Sequence, residues 1–463
     1  MMKNRIFGLL AQAMLMLAIV AASTVAHAQT YSVLYNFQTS GGGPYQPIGI
    51  VAQGHDGNMY STAPVGGSIG YGAMFKITPS GTLTVPYSFD STDQTPYGGL
   101  TLGTDGNFYG TTFGDNEFNL GTVFKLTPSG TFTPLHTFAG SDGSQPYAPP
   151  IQGTDGNFYG TTAKGGANNA GTVYKITPSG ALTTLYSFGG VLGADPRAPL
   201  VQGTDGDFYG TTVAGGTNAF GTVYKITPAG HLTTLWSFDG NDGDAPYAPL
   251  VQGTDGNFYG TTELGGTSND SGTVYKITPA GNLTVLHNIG GSDGQEPVAG
   301  LVQATDGNFY GVAGGGGTKD EGTIFRISPK SPYAYTVLYN FDGTTGAGPE
   351  VGLLQHTNGI LYSDTILGGT GSRGVFYSLN VGLKPFVSLV STSGKVGKTI
   401  EILGQGFIGT TGVSFNGTPA TVFTVRSKTF LTAKVPSGAT TGVVTVTTPK
   451  RKLTSNKKFR VIP

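Results

Sequence analysis

The chain has 463 residues, no cysteine and a formal net charge of −1 from 25 Lys/Arg and 26 Asp/Glu. Without cysteine there are no disulfides, thiolate metal sites, thiol catalysis or lipid on an N-terminal cysteine. Charged residues make up 11% against about 25% in average soluble domains, and with 78 glycines this balance suits an exported β-protein.

Lys3 and Arg5 precede an apolar run from Ile6 to Ala22, and Ala26-His27-Ala28 sets small residues around a cleavage point before Gln29. This is the pattern of a secretory signal peptide over 1–28. No other stretch reaches the ~18 apolar residues that span a bilayer. The expected mature protein is therefore secreted or at the cell surface, with no transmembrane segment after cleavage.

The ten residues "GTDGNFYGTT" at 103–112 return at 153–162 and 253–262, with one change at 203–212. Aligned on the aspartate of "DG", the repeats place Asp56, Asp105, Asp155, Asp205, Asp255 and Asp306, with Asn358 in the seventh place. The spacings of 49 to 52 residues are those of a propeller or solenoid. The third repeat holds four short apolar or β-branched runs, "APPIQG", "NFYGTT", "GTVYKITP" and "LTTLYSF". "TDG" and "PSG" are tight-turn signals that join antiparallel neighbours. Each repeat thus reads as a four-stranded antiparallel sheet, and the whole as an all-β, seven-bladed β-propeller over 29–383. "YSVLYNF" at 31–37 matches the fourth run at 335–341, while the last repeat has only three runs. The N-terminal strand is expected to complete the last sheet and close the ring, leaving no bare edge.

The Asp-Gly pair is read as the turn between strands one and two. A calcium loop needs several carboxylates at alternate positions, and "TDGN" offers one. The tyrosine that follows (Tyr109, Tyr159, Tyr209, Tyr259, Tyr310) is expected to pack between blades. The recurring cation of strand three (Lys76, Lys125, Lys175, Lys225, Lys276, Arg326) reads as a stem over apolar surface with its head in water, or as a functional cationic ring. The unit "GTDGNFYGTTAKGGANNAGTVYKITPSGALTTLYSF" resembles the GloVer tandem repeat of exported bacterial proteins. That resemblance implies varied C-terminal attachment modules and no particular activity.

From Lys384 the period stops. Residues 384–463 carry 12 Lys/Arg against Glu401 alone, a net +11. Short alternating strands with glycine turns predict a small β-sandwich. "GQGF" and "VPSGATTGVVTV" resemble the IPT/TIG immunoglobulin-like domain, which implies a binding or spacing module. The basic surplus points to an anionic envelope component as partner.

No histidines stand at metal-ligand spacing. "GGSIG" around Ser68 matches Gly-x-Ser-x-Gly, but that motif needs a strand-to-helix turn. "DGNDGD" at 239–244 is the best cation loop on offer and lacks the ligand order. No catalytic residue, metal or cofactor is therefore assigned. The repeats differ mainly in the loops after strand two, such as "AKGGANNA", "VAGGTNAF" and "ELGGTSNDS". These fall on one face of a propeller, whereas the uniform turns fall on the other. Varied loops on a rigid frame are where binding sits. The residue after the proline leading into strand one is read as Tyr45, Tyr97, Tyr147, Arg197, Tyr247, Val298 and Glu350. Of these, Tyr45, Tyr97, Tyr147, Arg197, Tyr247 and Glu350 are the candidate ligand-binding residues, ringing the channel to stack on and hydrogen-bond a sugar or peptide.

The function expected is an exported, monomeric, non-catalytic binding or display protein for a polysaccharide or envelope protein, with no role on nucleic acid. The alternatives are a secreted glycan hydrolase or lyase using Asp195, Asp242, Asp244, Glu296 or Glu350, and a purely structural surface or matrix protein.

Overall fold

The structure is a computed structural model that describes residues 29–39, 42–93, 95–114 and 119–462. The expected signal peptide lies outside the described residues. Among those described there is no α-helix, and none long and apolar enough to cross a membrane. The repeats form seven four-stranded sheets, numbered one to seven in chain order. Sheet three shows the plan. Ile151–Gln152, Phe158–Thr162, Thr172–Ile176 and Leu182–Ser187 pair antiparallel in sequence order. The second strand is buried throughout, whereas the fourth is only partly covered.

Each sheet is apolar on both faces, so it must be covered twice. In sheets two to five the tyrosine of strand two does this by stacking on the phenylalanine that opens strand two of the following sheet. Ring centroids lie 3.8 Å apart for Tyr109 and Phe158, 4.0 Å for Tyr159 and Phe208, and 3.9 Å for Tyr209 and Phe258. One buried cluster joins sheet seven to sheet one through Tyr362, Phe376, Met59 and Phe75. The sheets therefore form a closed, propeller-like ring, with the two-residue first strands around its axis.

Sheet seven takes its outer strand from the start of the described chain. Thr30–Asn36 pairs antiparallel with Val375–Asn380. Tyr31 stacks on Tyr339 of sheet six at 3.9 Å and donates its hydroxyl to the Thr345 carbonyl at 2.6 Å.

The uniform turns are closed by their own residues. Asp155 Oδ1 accepts from the Asn157 amide at 3.1 Å, while Oδ2 accepts from Asn157 Nδ2 at 2.7 Å and the Tyr159 hydroxyl at 2.9 Å. The carboxylate is thus consumed within the turn. The strand-three cation reaches the same turns: Lys76 pairs with Asp56 at 2.8 Å, Lys175 with Asp155 at 3.2 Å and Lys225 with Asp207 at 3.3 Å. The turn between strands three and four needs glycine. Gly180 has φ +97°, and a Cβ there would lie 2.5 Å from the Leu135 carbonyl of the preceding sheet.

A second belt ties neighbouring turns. Gln152, Gln202, Gln252, Gln303, Gln355 and Gln53 each accept, through the side-chain oxygen, the threonine amide of the preceding sheet's turn at 2.8–3.1 Å. The junction of sheets one and two departs from this, because Leu102 replaces the glutamine and His55 the threonine.

Residues 386–462 form a four-stranded and a five-stranded sheet around Val387, Ile402, Phe415, Leu431, Val446 and Phe459. This unit docks on the uniform face where the belt departs. Phe430 stacks on His55 at 3.7 Å, Glu401 faces His55 Nε2 at 3.2 Å, and Thr429 donates to the His55 carbonyl at 2.8 Å.

Asp364 is the local misfit. Its repeat position holds Thr161 or Thr211 elsewhere, whose hydroxyls donate to the Ala198 or Ala248 carbonyl of the next sheet. Asp364 is fully buried with both carboxyl oxygens unpartnered. Burial therefore holds its pKa well above the ordinary 3.8. Above about pH 4 the folded chain keeps a proton that the unfolded chain has lost, so this group lowers stability as pH rises, by up to ~1.4 kcal/mol per unit. Asp364→Thr is expected to be more stable than the parent at pH 7 in urea unfolding, with the gap narrowing towards pH 4. A gap that does not change with pH would disprove this account.

Candidate functional site at the variable face

The lead-in to each first strand is built the same way. A residue with positive φ (Thr95 62°, Gln145 55°, Asp195 60°, Ala245 52°, Glu296 54°) is followed by proline and then by the residue expected to ring the channel. The proline locks against the glycine that precedes strand three of the previous sheet. A Cβ on Gly171 would stand 2.6 Å from Pro196 Cδ. This lock fixes which side chain arrives at the opening.

It also corrects one expectation. In the first repeat the positive-φ residue is Gln46, at 52°, and the proline against Gly374 is Pro47. Ile48, not Tyr45, holds the ring position. "PYQPIG" contains two prolines, and only the backbone geometry tells which one locks. Tyr45 instead pairs its backbone with Val65, and its ring lies 5.2 Å from the Arg373 guanidinium.

The remaining positions meet across sheet boundaries. The Arg197 guanidinium lies between two tyrosines, 4.7 Å from the Tyr147 ring and 5.1 Å from Tyr247. Asp195 fixes it bidentately, Nε to Oδ1 at 3.0 Å and Nη2 to Oδ2 at 2.8 Å. Tyr97 continues the wall, 6.1 Å from Tyr147. Phe113 fills the angle between them, 5.3 Å from Tyr97 and 4.6 Å from Tyr147. The tyrosines, Phe113 and Arg197 are half-buried, and Asp195 is buried.

The other side of the opening is acidic. Glu350 keeps contact with solvent while the surrounding walls crowd it; that desolvation, then the charge of Glu296, raises its pKa. Glu263 is raised by burial and by the fields of Glu296 and Glu350, against the pull of Arg197. Burial likewise raises Asp244. The remaining carboxylates considered for catalysis are engaged elsewhere. Asp195 holds Arg197, and Asp242 accepts from Trp236 Nε1 of the outer strand at 2.7 Å.

Phe113 and Glu263 escaped the sequence reading. Both occupy one repeat position, the residue directly after strand two, held in other repeats by Pro64, Ala163, Val213, Gly314 and Ile366. That column is the most varied next to an otherwise constant strand, and a tally by repeat position would have exposed it.

No group of three or more His, Asp or Glu side chains among the described residues is arranged to hold a metal. In "DGNDGD", Asp239 Oδ1 accepts from the amides of Asn241 and Asp242, and Asp242 accepts from the amide of Asp239. Its carboxylates thus close their own turn. Ser68 is exposed, with its amide bonded to Ser88 Oγ at 3.1 Å.

No curated protein matches the chain. Among solved structures it is similar to a putative 6-phosphogluconolactonase from Bacteroides uniformis, at 17% identity and TM-score 0.45 over 66% of this chain and 88% of that one. It is similar to a second, from Bacteroides fragilis, at 19% and 0.44 over 73% and 88%. An auxiliary nutrient binding protein from Bacteroides ovatus matches at 10% and 0.42 over 76% of each chain. No activity transfers at such identities. The sequence pattern of the Gloeobacter/Verrucomicrobia repeat, by contrast, matches residues 21–152, 101–313 and 147–377, and the chain belongs to that repeat family.

Proposed function

We propose that this is an exported, non-catalytic binding or display protein: a seven-bladed propeller over 29–383 and an IPT/TIG-like sandwich over 384–463, freed of a signal peptide at 1–28. Its variable face presents Tyr97, Tyr147, Arg197, Tyr247 and Glu350, joined by Phe113 and Glu263, to a glycan or protein ligand outside the cytoplasm. The observation that carries this reading is Arg197 held between Tyr147 and Tyr247 by Asp195. Half-buried tyrosine rings beside an arginine fixed by its carboxylate suit edge contacts and hydrogen bonds with a sugar or a peptide side chain.

The second contact proposed is with an anionic envelope polymer, through the basic unit. Thr399–Leu403 and Phe430–Lys434 run from the docked end, at Leu403 and Phe430, to a far end at Thr399 and Lys434. Lys398 packs beside Gly394 and Lys434 beside Gly397, which places Lys395, Lys398 and Lys434 together at that far end. None of the three forms an ion pair among the described residues.

Two measurements test these readings. On a glycan array the parent protein should retain a defined set of ligands. Tyr147→Ala with Tyr247→Ala should cut that retention at least tenfold while moving Tm by less than about 4 °C. A larger fall in Tm would make the tyrosines wedges between sheets rather than a binding wall. On an immobilised anionic polysaccharide, retention should drop steeply as salt rises from about 0.05 to 0.5 M. Lys395→Ala/Lys398→Ala/Lys434→Ala should abolish retention with unchanged circular dichroism. Retention insensitive to salt would sink the electrostatic contact.

A further inference from the structure

The C-terminal unit touches the ring at three of the turns nearest its axis, on sheets that are not all neighbours. On one side it holds sheets seven and one. The Phe386 amide donates to the Thr357 carbonyl at 3.2 Å, Gln405 Nε2 to Thr357 Oγ1 at 2.9 Å, and Thr429 to the His55 carbonyl. On the other side the Arg460 guanidinium donates to the Thr204 carbonyl of sheet four, and a Cβ on Gly206 would lie 3.9 Å from the same guanidinium. In a ring of seven sheets the fourth lies opposite the junction of the seventh and first. The unit therefore bridges the axis.

The strand that makes the crossing is Lys452–Ile462. Its near part is tied to the side of sheet seven, since Val387 donates to the Thr454 carbonyl at 3.2 Å and accepts from the Asn456 amide at 3.4 Å. Arg460 ties its far part to sheet four. Lys457 lies between the two ties, about 10 Å of strand before Arg460. The ladder is also irregular here: Val443 faces Lys458 and Thr445 faces Thr454, so Ser455, Asn456 and Lys457 oppose Val444 alone. A bulge of this kind re-aims a side chain out of its sheet.

The surroundings of Lys457 fit that placement. Lys457 is exposed, yet desolvation by the protein around it pushes its pKa below the usual 10.5. Both statements hold together if the solvent it meets is water confined within the channel. Its ammonium has neither a hydrogen-bond nor an ion-pair partner among the described residues. Lys458, next in sequence, is exposed.

We infer that the C-terminal unit floors the axial channel, and that Lys457 is an anion-binding group at the closed end. It would take the carboxylate or phosphate of a small solute entering from the variable face. This site is at the far end of the channel from the tyrosine wall and does not depend on what that wall binds.

The test uses the mature full-length protein with its lysines dimethylated by 13C-formaldehyde, a change that preserves their charge. The Lys457 signal is identified by its loss in Lys457→Gln. Sodium glucuronate and sodium phosphate are titrated separately at fixed ionic strength. The expected result is a saturable shift of the Lys457 methyl signal with at least one of them, with the Lys458 signal still; which anion saturates it identifies the source. No saturable shift with either anion overturns the inference. Arg460→Ala, which loosens the floor, should weaken that binding roughly tenfold by admitting bulk water. Unchanged affinity in that variant would place Lys457 outside a closed channel and overturn the floor.

Discussion

The structure depends on a single tyrosine per sheet. Its ring packs on the following sheet, and its hydroxyl is anchored by the residue before the glycine of its own turn, an aspartate except for Asn358 in sheet seven, as Tyr159 shows with Phe208 and Asp155. The ring supplies dispersion and buried apolar area, whereas the hydroxyl would be an unsatisfied buried group without its carboxylate. Turn and inter-sheet contact are thus one construction. A lone sheet of this kind leaves both faces bare, and a linear stack leaves its two end faces bare; only a ring covers all of them.

This explains why one face of the ring is uniform. Its turns hold their own tyrosines, receive the strand-three lysines, bond to neighbouring glutamines and press glycines against the preceding sheet. Little in them is free to vary. Where the pattern departs, at His55 and Leu102, another element takes over: the C-terminal unit fills the place with Phe430, Glu401 and Thr429. The variable face carries none of these duties, and its proline–glycine locks fix backbone position without constraining the next side chain. Tyrosine, arginine, valine and glutamate can therefore follow one another around the opening on a constant frame.

Much of this was legible in the residues. The period, the four runs, the turn chemistry and the displaced N-terminal strand follow from patterns that act over a few residues, where β-turn geometry and strand alternation dictate the outcome. The ring position of the first repeat was misread because "PYQPIG" offers two prolines, and the choice between Pro44 and Pro47 rests on packing against Gly374, over three hundred residues away. Phe113 and Glu263 went unnoticed for a related reason: they belong to the opening through space, although they lie at the end of a different strand. Asp364 was visible as a letter, but its loss of partners depends on full burial.

The sequence by itself determined the all-β class, the repeat, the split into two faces and the basic C-terminal segment, because each follows from local periodicity, turn propensity or charge count. Only the tertiary structure decided which side chains meet. Arg197 between two tyrosines, the glutamates that raise one another's proton affinity, and a C-terminal unit reaching from sheets seven and one to sheet four all join residues far apart in the chain. Their energies depend on distance and enclosure, which come into being only when the ring closes.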